Sequence, residues 1–192
     1  MWQSNRKGST SSFPSRNSLH AVQAEGRTAL TVRSWRTLLS VAWSIWILDL
    51  ATKAWAVSQL AHRDSVKLIG SFFQLTFVRN SGAAFSFATG ATALFSLFSI
   101  CVLIAITYYA PRLTSQGWSV VLGLVMGGVL GNLSDRIFRE PGFLRGHVID
   151  WMQLPHWPIF NIADSAIVVA AAISMVLSAR NISPIAKKDP PL

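Results

Sequence analysis

The sequence predicts an all-α integral membrane protein with four transmembrane helices, a small β-sheet and a loop at the outer membrane surface. Of 192 residues, 51% are hydrophobic and 13% are charged, whereas a soluble domain carries about 25% charged residues. Four apolar segments lie at about 35–57, 88–110, 118–138 and 160–179. Each has close to the ~20 residues that cross a ~30 Å hydrocarbon core as a helix. An ordinary soluble enzyme and a disordered chain are therefore excluded.

Residues 1–34 precede the first apolar segment and are rich in Ser, Thr, Gly and Arg without an apolar period. This composition predicts a disordered basic tail. Between Arg6 and Arg33 the aromatic residue is Phe13, and with so little aromatic interleaving we expect no nucleic-acid partner. The first segment is expected to be retained rather than cleaved as a signal peptide, because Asp49 and Lys53 interrupt its apolar run.

The charge distribution predicts the orientation in the membrane. With four spans, both termini lie on one side, which then carries ten basic residues against two acidic ones. The opposite side carries six basic and four acidic residues. Since Lys and Arg are enriched in cytoplasmic segments, both termini are expected in the cytoplasm. The two long connections, 58–87 and 139–159, would then lie at the outer face.

The first outer connection contains a strand signal. Phe73, Leu75 and Phe77 alternate with Gln74 and Thr76, and a period of two is typical of a strand with one apolar face. The run R-N-S-G that follows is rich in turn-forming residues and ends the pattern. In the second outer connection, several prolines exclude a long helix.

Ionisable residues inside the spans need a partner or a purpose, because charge is costly there. Asp49 and Lys53 are four residues apart on one helix face, which fits a structural ion pair or a charged border of a site. Asn132, Asp135 and Arg136 share a face near the outer end of the third span. That face is either a polar helix end at the headgroups or the wall of a cavity. Small residues for close helix packing precede it: Gly123, Gly127, Gly128 and Gly131.

Two further carboxylates suggest chemistry. Asp164 lies three residues after Asn161, which fits an N-cap with an acid in the first helical turn. Asp150 stands between Ile149 and Trp151, an unusual setting for a solvated acid. Two carboxylates that share a proton are the equipment of aspartic peptidases. The spacing does not force this pair together, because Asp164 follows Asp150 by 14 positions and two prolines lie between them.

Two other functions remain as alternatives at this point. A small transporter or channel subunit could use Asp49, Lys53, Asp135 and Asp164 as a charge relay across the membrane. A purely structural membrane adaptor would give no reason for two carboxylates at the membrane edge. A metal site among His147, Asp150 and His156 has irregular spacing and no established ligand motif, so we expect neither a metal nor another cofactor.

Four sequence blocks, in order, resemble the lipoprotein signal peptidases, also called signal peptidase II. They are D-L-A-T-K at 49–53, F-V-R-N-S-G-A-A-F-S at 77–86, G-G-V-L-G-N-L-S-D-R at 127–136, and the pair G-H-V-I-D at 146–150 with F-N-I-A-D-S-A at 160–166. The likeness covers about residues 35–180. It implies a four-helix peptidase domain over 35–180, flanked by cytoplasmic tails at 1–34 and 181–192.

The resemblance implies an aspartic endopeptidase of the bacterial cytoplasmic membrane that needs no cofactor. Its substrates would be diacylglyceryl-modified prolipoproteins, which it would cut on the N-terminal side of the lipidated cysteine. We expect the enzyme to be a monomer that contacts membrane lipid. The catalytic dyad would be Asp150 and Asp164. The residues lining the substrate site or supporting it would be Asn80, Gly82, Asn132, Arg136, Asn161, Asp49, Lys53 and Asp135.

Two features depart from the family pattern. The N-terminal tail is longer than the family needs. Residues 138–145 lengthen the connection between the third-span motif and Asp150, and we expect them to reshape the rim of the site. The resemblance also implies a small surface sheet and a mobile outer loop over the site.

Overall fold

The computed structural model describes residues 16–82 and 91–185. Its elements follow one another along the chain as helix α1 (Arg16–Leu60), strands β1 (Val66–Ile69) and β2 (Phe73–Asn80), helix α2 (Ala91–Tyr109), a 3₁₀ turn (Ala110–Arg112), helix α3 (Gln116–Phe138), strand β3 (Val148–Gln153) and helix α4 (Ile162–Ala179).

Within the described ranges, four helical stretches are long and apolar enough to cross a membrane. They are Arg33–Leu60, Thr92–Arg112, Gln116–Phe138 and Ile162–Ala179. Large apolar side chains such as Trp43, Phe98 and Met175 are exposed on them, as expected of surfaces that face lipid. The predicted fold, four membrane-spanning helices with a small sheet, is therefore confirmed.

Helix α1 begins at Arg16, well inside the segment predicted to be a disordered tail. That prediction is corrected for residues 16–34, because Ala21, Ala24 and Leu30 favour a helix that continues without interruption into the apolar span. Residues 1–15 lie outside the described part of the chain. At the other end, the chain after α4 turns back, where Trp118 Nε1 donates to the Ile182 carbonyl at 2.6 Å.

Helix α3 packs closely against α1 and α4 through its glycines. A Cβ atom on Gly123 would lie 2.7 Å from the Leu38 carbonyl oxygen, and one on Gly127 would lie 2.6 Å from that of Ala42. On the neighbouring face, a Cβ on Gly128 would lie 2.6 Å from the Ala163 carbonyl oxygen. The predicted small-residue packing surface is thus confirmed.

The strands form an antiparallel sheet in the order β1-β2-β3. Its register places Val78 opposite Asp150 and Asn80 opposite Val148. The sheet rests on the end of α1 through one apolar cluster, which consists of Ala56, Leu60, Leu75, Ile149, Trp151 and Met152. Strand β2 agrees with the alternation in the sequence, and the sheet brings Asn80 beside Asp150.

A short return of the chain brings the start of α4 back to β3. The Phe160 carbonyl accepts hydrogen bonds from the Trp151 and Met152 amides at 3.1 and 2.9 Å, and the Phe160 amide donates to Met152 O at 2.9 Å. Asn161, the next residue, caps α4. This bridge therefore places Asp150 next to the first turn of α4, a proximity that sequence spacing alone did not fix.

The close approach of α3 to α1 leads to a testable prediction. We expect Gly127→Ala to lower the free energy of unfolding by about 1–3 kcal/mol, because the new methyl group would overlap the α1 backbone. Gly117→Ala is the matched control, since a Cβ there would meet the flexible Leu177 side chain at 3.1 Å. The two melting temperatures in detergent micelles test this; equal values for both variants would contradict the proposed packing.

Candidate functional site

The ammonium group of Lys53 lies at the centre of a buried polar network. Its Nζ is 2.7 Å from Asp49 Oδ2, 2.8 Å from Asp135 Oδ2 and 2.9 Å from Asn132 Oδ1. The Lys53 and Asp49 side chains are 0% exposed, and that of Asp135 is 2% exposed. All three ammonium protons thus have an acceptor. The Asp49–Lys53 pair is compatible with both interpretations. It is an ion pair within α1, and through Asn132 it borders the candidate site.

The two carboxylates that contact Lys53 also accept hydrogen bonds from the backbones of α4 and β3. Asp49 Oδ1 accepts a hydrogen bond from the Ala163 amide at 2.9 Å. Asp135 Oδ2 accepts one from the Ile149 amide at 3.2 Å, and its Oδ1 pairs with Arg139 Nε. Through these bonds, α1 and α3 hold the first turn of α4 and the start of β3 in place.

Asn161 joins the two carboxylates that the sequence singled out. Its Nδ2 lies 2.6 Å from Asp150 Oδ1 and 3.1 Å from Asn132 Oδ1. Its Oδ1 accepts from the Asp164 amide at 2.9 Å, while Asp164 Oδ2 accepts from the Asn161 amide at 3.2 Å, which completes a capping box. Asn132 Nδ2 donates to Asp164 Oδ1 at 2.8 Å. The capping interpretation is therefore correct, and the same cap links Asp164 to Asp150.

The last residue of β2 supplies the second amide to Asp150. Asn80 Nδ2 donates to Asp150 Oδ2 at 2.8 Å, and Asn80 Oδ1 accepts from the Gly82 amide at 2.8 Å. Gly82 has φ +94°, a conformation that a side chain would strain. Each oxygen of Asp150 thus accepts a hydrogen bond from an asparagine.

Burial dominates the electrostatics of Asp150, whose residue is 2% exposed. Burial, the largest effect, raises its pKa to about 6. The hydrogen bond from Asn80 opposes this rise, the charge of Asp164 adds to it, and Asn161 and Lys53 oppose it. Asp150 therefore exchanges a proton close to neutral pH, as a residue in acid–base chemistry must.

Arg136 lies on the wall formed by α3. Its guanidinium stands 5.6 Å from the ring centroid of Phe95 and interacts electrostatically with Asp150 and Asp164. In the described part of the chain, its buried Nη1 has no hydrogen-bond partner. A cation with a spare donor close to two carboxylates can bind a carbonyl oxygen brought beside them.

Helix α2 forms a further wall, which the sequence reasoning missed. Thr92 Oγ1 donates to the Ser81 carbonyl at 2.6 Å, Ser96 Oγ lies 2.7 Å from the Leu144 carbonyl, and Phe95 lies beside Gly82. The signal in the sequence was two hydroxyl residues four apart in an apolar helix. It is a weak signal, since such hydroxyls commonly bond to the carbonyl one turn earlier in their own helix.

An apolar cavity of about 380 Å³ opens beside Asp164. It runs along one face of α4, from Asp164 in the first turn to Val168 and Val169 one turn further along the helix. Its lining consists of Leu154, Trp157, Phe160, Asp164, Ser165, Val168 and Val169. The cavity has a carboxylate at one end and the side of an apolar helix along its length, an arrangement that suits a partly apolar molecule.

Residues 138–145 build a separate cavity of about 310 Å³ with neighbouring residues. Arg79 and Ile149, which pair across β2 and β3, line it together with Phe138, Arg139, Glu140 and His147. Since neighbouring strand residues point to opposite faces, this cavity and Asp150 lie on opposite faces of the sheet. The segment also touches the network itself, through Arg139 on Asp135.

The structure brings all ten residues expected at the site into one connected region around the ends of the helices that adjoin the sheet. They are Asp49, Lys53, Asn80, Gly82, Asn132, Asp135, Arg136, Asp150, Asn161 and Asp164. Their catalytic and binding roles remain predictions. Across 16–82 and 91–185, no group of three or more His, Cys, Asp or Glu residues could hold a metal ion. The first outer connection, predicted at 58–87, includes residues 83–87, which lie outside the described residues.

Comparison with known proteins gives a consistent result. The family profile of signal peptidase (SPase) II matches residues 41–180. A lipoprotein signal peptidase of Leifsonia xyli subsp. xyli is 45% identical over 171 residues, which cover 88% of this chain and 79% of the relative. One from Mycobacterium leprae is 46% identical over 154 residues, 80% of this chain and 77% of the relative. A bacterial membrane enzyme solved by the in meso method at 1.9 Å superposes with a TM-score of 0.68 at 28% identity, covering 76% of this chain and 94% of the other.

The buried network predicts a large cost for removing its central cation. We expect Lys53→Met to destabilise the fold by about 3–5 kcal/mol, because it leaves Asp49 buried without its counter-ion and leaves Asp135 paired with Arg139 alone. Lys67→Met is the matched control, since Lys67 is exposed on β1. Thermal unfolding in detergent measures both variants. A Lys53→Met protein as stable as the control would show that the network does not need this charge.

Proposed function

We infer the function of this chain from one premise: it belongs to the signal peptidase II family and is a bacterial membrane peptidase. We propose that it is an aspartic endopeptidase that removes signal peptides from diacylglyceryl-modified prolipoproteins, cutting N-terminal to the lipidated cysteine. One observation carries the proposal: the Asn161 side chain joins Asp150 and Asp164, from two different elements, beside an apolar cavity.

Asp150 and Asp164 have different surroundings, which suits two different roles. Asp150 is buried, and its raised pKa favours the protonated carboxyl. Asp164 accepts hydrogen bonds from Asn132 and from the Asn161 backbone, which stabilise a carboxylate. We assign the shared proton to Asp150 and the role of the base to Asp164.

In the proposed reaction, the Asp164 carboxylate takes a proton from a water molecule, whose oxygen attacks the scissile carbonyl carbon. The Asp150 carboxyl donates its proton to the carbonyl oxygen, which gives a neutral tetrahedral intermediate. Transfer of the Asp164 proton to the amide nitrogen then breaks the C–N bond, while Asp150 takes a proton from one of the two hydroxyl groups of the intermediate. The products are a signal peptide with a new carboxyl group and a lipoprotein whose lipidated cysteine has a free amine.

The surroundings of the dyad suit a lipidated peptide. The cavity along α4 connects Asp164 with the surface of a helix that is long and apolar enough to cross a membrane, so we expect the lipid-modified segment to reach the carboxylates from within the bilayer. Arg136 Nη1 provides a donor for a substrate carbonyl. Supporting positions are Asp49, Lys53 and Asp135, which hold the walls rather than the substrate.

The charge asymmetry of the loops supports the proposed topology. Both termini would lie in the cytoplasm, and the dyad would lie at the outer face, within reach of water. We propose that the enzyme acts as a monomer in contact with membrane lipid. A charge relay is less well supported, because the Lys53 ammonium already has three close acceptors and the buried acids gather at one end of the spans.

The dyad is tested by replacing each carboxylate. We expect Asp150→Asn and Asp164→Asn each to reduce cleavage of a purified diacylglyceryl-prolipoprotein at least about 10³-fold, as loss of a catalytic group does. Asp64→Asn, on the exposed outer connection, is the matched control. Mass spectrometry locates the cut, and thermal unfolding checks folding. A folded Asp150→Asn or Asp164→Asn enzyme with near-normal activity would refute the dyad.

The pH dependence gives a second test. We expect a bell-shaped profile of kcat/KM whose alkaline limb follows the ionisation of Asp150, with its pKa of about 6. Asn80→Ala removes a hydrogen bond that stabilises the carboxylate, so the pKa of Asp150 should rise and the alkaline limb should move to higher pH. Gln59→Ala, an exposed change, should leave the limb in place. A profile without an acidic limb, or an Asn80→Ala limb displaced to lower pH, would contradict the assignment.

A further inference from the structure

Two hydroxyl groups on α2 face the loops that carry the site. Thr92 is 7% exposed and Ser96 is 0% exposed, and their spacing of four residues puts them on one helix face. Neither residue belongs to the dyad or to the supporting set derived from the sequence. Each hydroxyl contacts a backbone carbonyl on a different segment of the chain.

Thr92 holds the turn that presents Asn80. Its Oγ1 donates to the Ser81 carbonyl at 2.6 Å, directly after the asparagine. On the other side of that carbonyl, the Gly82 amide donates to Asn80 Oδ1 at 2.8 Å. These bonds orient the Asn80 amide, whose Nδ2 donates to Asp150 at 2.8 Å.

Ser96 holds the segment that leads into β3. Its Oγ is 2.7 Å from the Leu144 carbonyl and 3.0 Å from the Thr92 carbonyl. Leu144 has φ +61°, an uncommon conformation for a leucine. Two residues later, the Gly146 amide donates to the Arg136 carbonyl at 3.0 Å. The segment is thus fixed just before Val148, which pairs with Asn80.

Ser99 and Thr107 bond only within α2 in the described structure, whereas Ser96 adds the contact with Leu144 to a contact within its own helix. Ser99 Oγ donates to the Phe95 carbonyl at 2.9 Å, and Thr107 Oγ1 donates to the Leu103 carbonyl at 2.8 Å, each one turn back in the same helix. This is the ordinary way to satisfy a hydroxyl inside an apolar helix. The bonds of Thr92 and Ser96 to the Ser81 and Leu144 carbonyls therefore hold those two segments against α2.

We propose that Thr92 and Ser96 are positioning residues, which hold the Asn80 turn and the start of β3 so that Asn80 keeps its hydrogen bond to Asp150. The proposal rests on the proposed function for its catalytic consequence. Its structural content, a fixed Asn80–Asp150 contact, is measurable without catalysis.

The charges around Asp150 are unchanged by substitutions on this face of α2. Those acting on it are Asp164 on α4, Lys53 on α1 and Arg136 on α3, and Asp135 of α3 belongs to the same network through Lys53. Thr92→Val replaces a hydroxyl with a methyl group of similar size and touches none of them. A change in the titration of Asp150 would therefore report on the Asn80 hydrogen bond.

The test uses Thr92→Val, with Thr107→Val as the same substitution on the same helix far from the site. We expect Thr92→Val to lower kcat about fivefold, the value of one ordinary hydrogen bond, with little change in KM. Its alkaline limb should move to higher pH, because a looser Asn80 stabilises the carboxylate less. Thr92→Ser should restore both properties, and Thr107→Val should match the wild type.

Ser96→Ala, with Ser99→Ala as control, extends the test to the second loop, and the same direction of change is expected. The direct readout is the pH titration of the Asp150 carboxyl carbon by NMR in protein labelled at aspartate, assigned with Asp150→Asn. We expect its midpoint to be higher in Thr92→Val than in Thr107→Val. This measurement does not require cleavage.

The outcomes separate the two proposals. An unchanged Asp150 midpoint in a folded Thr92→Val protein overturns the positioning role, even if the dyad is correct. A fall in kcat that only follows a lower folded fraction, with the limb and midpoint unmoved, overturns it as well. If Asp150→Asn retains activity, the proposed function fails, while a shifted midpoint in Thr92→Val would still support the fixed Asn80–Asp150 contact.

Discussion

The buried ammonium group of Lys53 is the constraint on which the rest of the structure depends. Two carboxylates, Asp49 and Asp135, lie in an apolar setting where an unpaired charge would cost several kcal/mol. Lys53 contacts both, and Arg139 contacts Asp135 from the rim. Two positive and two negative charges thus balance at the junction of α1 and α3. The same two carboxylates accept hydrogen bonds from backbone amides of α4 and β3. The charge balance therefore also fixes the positions of the first turn of α4 and the start of β3.

Glycine makes that arrangement sterically possible. At Gly131 a side chain would collide with the Asp49 carboxylate and approach Ala163. The α1, α3 and α4 backbones can therefore meet around the ion pairs without a gap. Close packing also excludes water from the network, which strengthens each ion pair and hydrogen bond inside it. The buried ion pairs therefore depend on the close packing that the small residues allow, and the close packing depends on the balanced charges of the ion pairs.

Much of this organisation could be predicted from local sequence patterns. Hydropathy and length predicted the spans, helical spacing paired Asp49 with Lys53, and the Asn161 cap followed from its position three residues before Asp164. Long-range geometry was harder. The proximity of Asp150 to α4 depends on the bridge between Met152 and Phe160, which no periodicity encodes. Strand β1 is exposed at every position, so it lacks the alternation that revealed β2. The α2 wall depends on hydroxyl partners that lie far away in the sequence.

Asn161 connects the two carboxylates through a carboxamide, a group that neither gains nor loses a proton in water at any pH where the protein folds. Its oxygen is committed to the Asp164 amide and its nitrogen to Asp150 and Asn132. The orientation of that amide is therefore set by the helix cap and does not follow the charge on either acid. In the proposed cycle, protons move between Asp150, Asp164 and the substrate while this connection stays the same. The enzyme would thus return to its starting arrangement after each turnover without having to rebuild it.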